Sequence, residues 1–487
     1  MQKKTTQNNA PSVLIALIPL VVLVALLIFF IGLYKTDALA GPSQLALLIT
    51  SAVIVCLGLA THHLKYDDFG KAISEKISGV APSILILLFI GALSGTWMIS
   101  GIVPSLIYYG MQVMRPEWFL VSTSIICAVA SLITGSSWTT IATIGIALLG
   151  IGKALGIQDG WTAGAIITGA YFGDKISPLS DTTVLASSCT GTPLFTHIRY
   201  MLITTIPSFC ISLLIFLVAG FFIKHGSLDS SNAFSEGLFR TFNITPWLFL
   251  VPILTIVMIA KKLPAEAVLF LATLLAGIAA FIFQKDLLFK LADNNDTMPI
   301  SGILQAAFGN SSPETGNAEL NNLVSTTGMG GMMNTIWLII CAMIFGGAMT
   351  ATKFLMSITQ ALVRLAHNTF SLVASSIGTG LLFNTVCADQ YLSIILESSM
   401  FKEIYQKRGY ESRLLSRTAE DSVTVTSVLI PWNTCGMTQS TVLGVATLTY
   451  LPYCFFNLLS PLMSMFMAAI GYKIYRNKTL TEEQSKE

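Results

Sequence analysis

Two stretches far apart in the chain hold carboxylates inside otherwise apolar sequence of membrane length. One is Gly-Asp-Lys-Ile-Ser-Pro-Leu-Ser-Asp-Thr-Thr over residues 173–183; the other is Glu-Asp-Ser-Val-Thr-Val-Thr-Ser from Glu420, with Pro431-Trp432-Asn433-Thr434 close behind. A carboxylate at the centre of a membrane helix costs roughly 2.5–3.5 kcal/mol on insertion scales, so Asp174, Asp181, Glu420 and Asp421 burden insertion unless they serve a polar pathway. Their neighbours are hydroxyls and amides, the oxygen donors that a hard cation accepts. The chemistry on offer is binding of a small desolvated cation, with a carboxylate able to trade it for a proton.

The elements that must hold these residues are membrane helices. Hydrophobic residues make up 53% of the 487-residue chain and charged ones 11%, against about 25% charged in an ordinary soluble domain. A net charge of +2 leaves no basic surface for nucleic acid. The polar start, residues 1–12, carries Lys3 and Lys4. The apolar run 13–33 is too long for a signal-peptide core and has no small-residue cleavage site, so it is expected to stay as a first span. The eight cysteines form no C-x-x-C pair and have no histidine at ligand spacing, so they read as small buried packing residues.

Runs long enough to cross lie near 13–33, 43–61, 80–112, 198–223, 243–260, 265–283, 334–352 and 446–472. Four other segments are interrupted. Segments 117–155 and 369–400 break at Thr134-Gly135-Ser136-Ser137 and at Asn384-Thr385, and 160–190 and 412–443 break at the acidic motifs. Non-helical backbone at membrane depth survives only where protein or a watery cavity satisfies it. The first two are therefore expected to be re-entrant hairpins, and the second two discontinuous helices that cross completely.

The order span, span, span, hairpin, broken helix, span occurs twice. Ser137 to Asn384 and Asp174 to Asp421 are both 247 residues apart. Five crossings per unit would invert the second unit relative to the first, the plan of many secondary transporters. The expected fold is thus an all-α polytopic membrane protein of two inverted-topology repeats. Residues 13–223 and 242–473 form the repeats, joined by an external connector, 224–241, and followed by a cytoplasmic tail, 474–487. Lysines and arginines concentrate in the loops that share a side with the termini, including Lys65, Lys71, Lys76, Arg364, Lys402 and Lys407, which puts both termini in the cytoplasm. His62 and His63 fall in such a loop as solvated surface, and His197 is a weak candidate pH sensor. The polar stretch 284–331 suits an external loop and reads first as a flexible connector.

At these motifs a family resemblance is visible. The string from Gly173 to Thr183, followed by His197-Ile198-Arg199, resembles the signature of the NhaC family of sodium/proton antiporters, which also contains malate/lactate exchangers of the MleN type. Ala388-Asp389-Gln390-Tyr391 and the run from Leu415 to Ser422, with Pro431-Trp432-Asn433-Thr434-Cys435-Gly436, resemble it too. The likeness spans nearly the whole chain. It departs at Glu397-Ser398-Ser399-Met400, where the pattern has a proline and a basic residue. The resemblance implies an ion-coupled secondary transporter in a bacterial inner membrane, within a wider group that includes organic-anion carriers.

The residue chemistry fits sodium independently, because Na+ takes five or six oxygens from carboxylates, hydroxyls, amides and freed carbonyls. The first half offers Ser136, Ser137 and Thr139 with Asp174, Ser177, Asp181 and Thr182. The second offers Asn384, Thr385 and Asp389 with Glu420, Asp421, Thr424, Asn433 and Thr434. Antiport requires Na+ and H+ to compete for one carboxylate, with desolvation favouring the proton and a nearby cation the ion. Asp174 is the first choice, with Asp421 and Asp389 next. Lys175 is placed to pair with a carboxylate in the ion-free state. Plainer roles stand beside these: a tip hydroxyl can simply bond to backbone, Glu420 or Asp421 can cap a half-helix or pair with Arg417, and Trp138 and Trp432 can pack.

The reading is a carrier that exchanges Na+ for H+ by alternating access. Its main rival is a carrier of the same build that moves a small organic acid or an amino acid coupled to Na+ or H+. A channel needs no paired half-sites, and the chain has no nucleotide loop, H-E-x-x-H or Ser/His constellation, so an enzyme is not expected. The expected partners are Na+, H+ and lipid, with a second copy of the chain admissible; no cofactor is expected, and no appended ATPase or regulatory domain.

Overall fold

The computed structural model describes residues 11–34, 41–62, 64–223, 228–261, 263–291, 298–316, 318–364 and 366–476. Most of the two tails, His63, Lys35, Lys224 and Lys262, and parts of segments 224–241 and 284–331 lie outside the described residues. Among those described, nine helices are long and apolar enough to cross a bilayer. Two bent pairs, Ser235–Thr241 with Pro246–Ile259 and Thr447–Tyr453 with Phe455–Ala469, meet the same requirement. Helix Val13–Tyr34 shows why: it is apolar all round, and Leu14, Val21 and Ile28 are left on its outer face, where lipid is the natural solvent.

The structure departs from the expected spans in several places. The run 80–112 is two helices, Ala81–Ile99 and Ile102–Val113, because Gly101 turns the chain in the left-handed region. Residues Tyr66–Gly79 of the basic loop form a surface helix with Phe69 buried. The described part of 284–331 is packed and not a loose connector. It forms helices Pro299–Phe308 and Ala318–Val324 with a Ser311–Thr326 bridge, and it buries Leu320 and Val324. Its composition hides this, since a few apolar anchors suffice to fix a polar segment. The cysteine reading holds for Cys127, Cys341, Cys387, Cys435 and Cys454, but Cys56 and Cys210 face outward.

The chain contains a duplicated run of helices. Helices begin at Ala81, Ile102, Pro116, Ser137, Asp159, Asp181 and Leu194. Others begin at Met333, Phe354, Thr369, Gln390, Ser412, Thr434 and Thr447, later by 252 residues for the first two and by 253 for the remaining five. Backbone landmarks obey the same interval: the left-handed residues Gly135, Gly156 and Gly191 recur as Ala388, Gly409 and Gly444. The interval of 247 is therefore not the structural register. By position, Ser137 corresponds to Gln390 and Asp174 to Ser427. The 247 spacing matched residues alike in chemistry but not in place relative to the breaks.

Helices outside the duplicated runs are exchanged. Pro42–His62 packs on Met333–Ala351 of the second run, while Ala265–Phe283 packs on Ala81–Ile99 of the first. Each half thus supports the central helix of the other.

Candidate functional site

The first hairpin consists of Pro116–Thr134 and a second arm starting at Ser137. Its first arm lies directly against the half-helix Asp159–Ile176. A β-carbon at Gly169 would stand 2.1 Å from the Ser124 carbonyl, and one at Gly173 2.2 Å from that of Ala128. Glycine at both positions permits this approach, the small-residue contact that packs membrane helices. Ser124 Oγ also donates to the Ala165 carbonyl at 2.9 Å.

That contact delivers Asp174 to the hairpin tip. Asp174 Oδ2 accepts from the Ser137 backbone N–H at 3.1 Å and from Ser137 Oγ at 2.6 Å. The carboxylate therefore sits at the N-terminus of the second arm, where the helix dipole favours negative charge. Ser180 is a further hydrogen-bonding neighbour of the carboxylate, and the side chain borders a cavity of about 70 Å³, room for water. Ser136, Trp138 and Thr139 of the tip line the same cavity. So do Ser180, Asp181 and Thr182 beyond the helix break and Gln390 and Tyr391 of the second hairpin.

The tip depends on Gly135, whose φ is +68° and whose added β-carbon would lie 2.7 Å from the Leu179 carbonyl carbon. Gly135→Ala is expected to lower stability by roughly 2 kcal/mol, combining left-handed strain with displacement of the neighbouring break. A melting curve of the purified variant in detergent checks this, and an unshifted midpoint would refute it.

The remaining first-half candidates hold the frame. Ser177 Oγ donates to the Leu132 carbonyl at 2.9 Å, tying the break to the end of the first hairpin arm. Thr182 Oγ1 lies 3.0 Å from Ser180 Oγ, and Asp181 is exposed at the cavity's edge.

In the second half the positions differ from expectation. Asn384 and Thr385 lie inside the helix Thr369–Val386, and the hairpin turns instead at Cys387 and Ala388, with Asp389 as the N-cap of Gln390–Lys407. A helix tolerates the two polar residues because their donors are bonded: Asn384 Nδ2 donates to the Val423 carbonyl at 2.7 Å, and Thr385 Oγ1 to the Leu381 carbonyl at 2.8 Å, while Asn384 Oδ1 is buried without a partner. The acidic pair is likewise not in a break. Glu420 and Asp421 begin a π-helical turn, Glu420–Thr424, and the chain leaves helical geometry only past Leu429. Asn433 caps the following half-helix and donates to the Asn384 carbonyl at 2.9 Å. Thr434 Oγ1 donates to Asp389 Oδ2 at 3.3 Å, and the Leu392 N–H to Asp389 Oδ1 at 2.9 Å.

Asp421 is not in the cavity. Its Oδ1 pairs with Lys175 Nζ, both side chains being fully buried, and accepts from Ser460 Oγ at 2.7 Å. Its Oδ2 accepts from Thr204 Oγ1 at 2.9 Å and lies 3.9 Å from Arg417 Nε. Lys175, one residue after Asp174, thus points away from the cavity. Glu420 is buried with neither carboxylate oxygen hydrogen-bonded, and Thr424 Oγ1 also lacks a partner. His197 is buried beside Ser416, with 2.8 Å from Nδ1 to Oγ. Asp174, Asp389 and Asp421 do not form one three-acid metal cluster; no such group of His, Cys, Asp or Glu occurs among the described residues.

Three residues noted in the sequence only as part of the family resemblance, and not as site candidates, complete the picture. Gln390 and Tyr391 line the cavity, and Glu397 is buried with Oε2 accepting from Ser422 Oγ at 2.9 Å. Gln390 and Tyr391 directly follow Asp389, so recognising that residue as a helix N-cap would have placed them at the tip.

Interrupted membrane helices converging on a buried carboxylate define a polytopic integral membrane transporter. The chain belongs to the Na+/H+ antiporter family, whose model matches residues 2–191 and 169–472. It is 36% identical to the Na(+)/H(+) antiporter NhaC of Alkalihalophilus pseudofirmus, over 89% of this chain and 92% of that protein. The Malate-2H(+)/Na(+)-lactate antiporter of Bacillus subtilis is 35% identical over 91% and 93%. The arginine/ornithine antiporter ArcD of Halobacterium salinarum is 34% identical over 84% and 83%. These relatives are named antiporters, so the chain is a transporter of that kind.

Proposed function

We propose that the protein exchanges Na+ for H+ by alternating access and that Asp174 is the carboxylate for which the two ions compete. The observation that carries this reading is the buried Asp174 carboxylate on a small cavity bordered by hydroxyls, with Oδ2 held by Ser137. Ser136, Thr139 and Thr182 would complete the shell around Na+, with Asp181 attracting the ion at the edge. Ser177, Asn384, Thr385 and Asn433 would hold the breaks in place. The two duplicated runs would cross in opposite senses, with both termini on the cytoplasmic side of a bacterial inner membrane, as the bias of basic residues suggests.

Protein reconstituted in liposomes tests the proposal: an imposed Na+ gradient should move internal pH without any organic solute. A pH change that requires malate, lactate or an amino acid would instead favour the second reading, an organic-solute exchanger. That reading draws support from a larger cavity of about 490 Å³ beside Asp389 and from the names of two relatives.

Ser137→Ala should raise the half-saturating Na+ concentration by roughly tenfold. A hydrogen bond to a charged group contributes about 1.5 kcal/mol or more, and tenfold corresponds to about 1.4 kcal/mol. Ser137→Thr, which keeps the hydroxyl, should stay near the parent value. Equal constants for all three proteins would remove Ser137 from the site.

A further inference from the structure

We propose that the cavity beside the second hairpin binds a small aliphatic α-amino acid as its zwitterion, with the ammonium on Asp389 and the carboxylate on Lys76. The proposal rests on the second reading above, that an organic solute is carried, and names the site and ligand class it requires. The cavity measures about 490 Å³, within the range of roughly 300–1,000 Å³ typical of small-molecule sites.

Its walls carry charges of both signs, Lys76 and Asp389, with the solvent-exposed Glu75 beside Lys76 at the same cavity. Lys76 comes from the surface helix Tyr66–Gly79 and Asp389 from the hairpin tip, and both line the cavity. They are near enough for the ammonium's charge to act on the carboxylate. Neither makes an ion pair, with the other or with any other described residue. Asp389 accepts from the Leu392 N–H on Oδ1 and the Thr434 hydroxyl on Oδ2, with the Tyr391 N–H as a further donor, and a carboxylate's roughly four acceptor sites leave room for one more.

A monocation would leave Lys76 unmatched, and a monoanion would leave Asp389 unmatched. A molecule with an ammonium and a carboxylate on one carbon satisfies both and enters with no net charge, which limits the desolvation cost. Leu392, Ile395 and Leu396 form an apolar wall for its side chain. Tyr391 borders this cavity and also the one at Asp174. A ligand seated here therefore lies against a residue that the two cavities share.

Equilibrium binding of radiolabelled leucine to the purified full-length protein in detergent tests this without measuring transport. Saturable binding is expected, weakened at least tenfold in Lys76→Gln and in Asp389→Asn and retained in Lys76→Arg, with parent-like melting showing that each variant is folded. If a variant fails to fold, competition on the parent protein decides. Alanine should displace leucine, whereas malate or a simple amine should not.

Absence of leucine binding, equal binding by both charge-removing variants, or displacement by malate or amine alone would overturn the proposal. Proton flux driven by Na+ without amino acid is a separate measurement. Its failure would count against the ion-exchange reading and leave this one standing.

Discussion

Asp174→Asn should abolish Na+-driven proton movement in liposomes while leaving the fold in place. Asparagine has the same shape, and its side-chain oxygen can still accept from the Ser137 N–H and hydroxyl, which hold Oδ2 at 3.1 and 2.6 Å. What it removes is the charge and the protonation site. At an effective dielectric constant of about 20, unit charges about 4 Å apart interact by roughly 4 kcal/mol, so Na+ binding should weaken by about three orders of magnitude and flux should fall to background. Asp181→Asn, at the exposed edge, should reduce apparent affinity only severalfold, because solvent screens that charge. If Asp174→Asn transports sodium and protons like the parent, Asp174 has no part in the mechanism and another buried acid must take its place.

How much of this could be read from the sequence follows from what each signal depends on. Membrane spans were legible because bilayer thickness demands long apolar runs, and the first hairpin tip was legible because Gly135 and the serines beside it combine a turn former with polar side chains. The second tip was misplaced by three residues, from Thr385 to Ala388. Asn384 and Thr385 look like helix breakers, yet their donors bond within and beside the helix, and an alanine at φ 54° gives no compositional warning. The acids stand out against their apolar surroundings, but sequence spacing says nothing of which way each side chain points. Asp174 and Lys175 are neighbours on one half-helix, separated by about 100° of rotation, so one faces the cavity and the other faces Asp421. The order of elements pointed to a duplication, whereas the interval between equivalent helices required the backbone landmarks at 253 residues.

The pair formed by Lys175 and Asp421 should be the largest single electrostatic contributor to stability, and its two ends should be unequal. Removing one member of a buried pair typically costs about 3–5 kcal/mol because the other is left as an uncompensated charge. Lys175→Met leaves Asp421 with the Ser460 and Thr204 hydroxyls and with Arg417 nearby. Asp421→Leu leaves the ammonium with Ser460 Oγ at 3.0 Å and the face of Phe456 at 5.6 Å, a poorer environment for a full charge. Asp421→Leu should therefore lower the melting temperature in detergent more than Lys175→Met. The double variant should recover most of the loss, because replacing a buried ion pair by apolar groups is often close to neutral. Lys175 belongs to the first duplicated run and Asp421 to the second, so the same cycle measures how strongly this contact couples the two halves. Additive single losses would mean that the pair contributes no coupling, and a greater loss from Lys175→Met would reverse the assignment of which charge depends more on its partner.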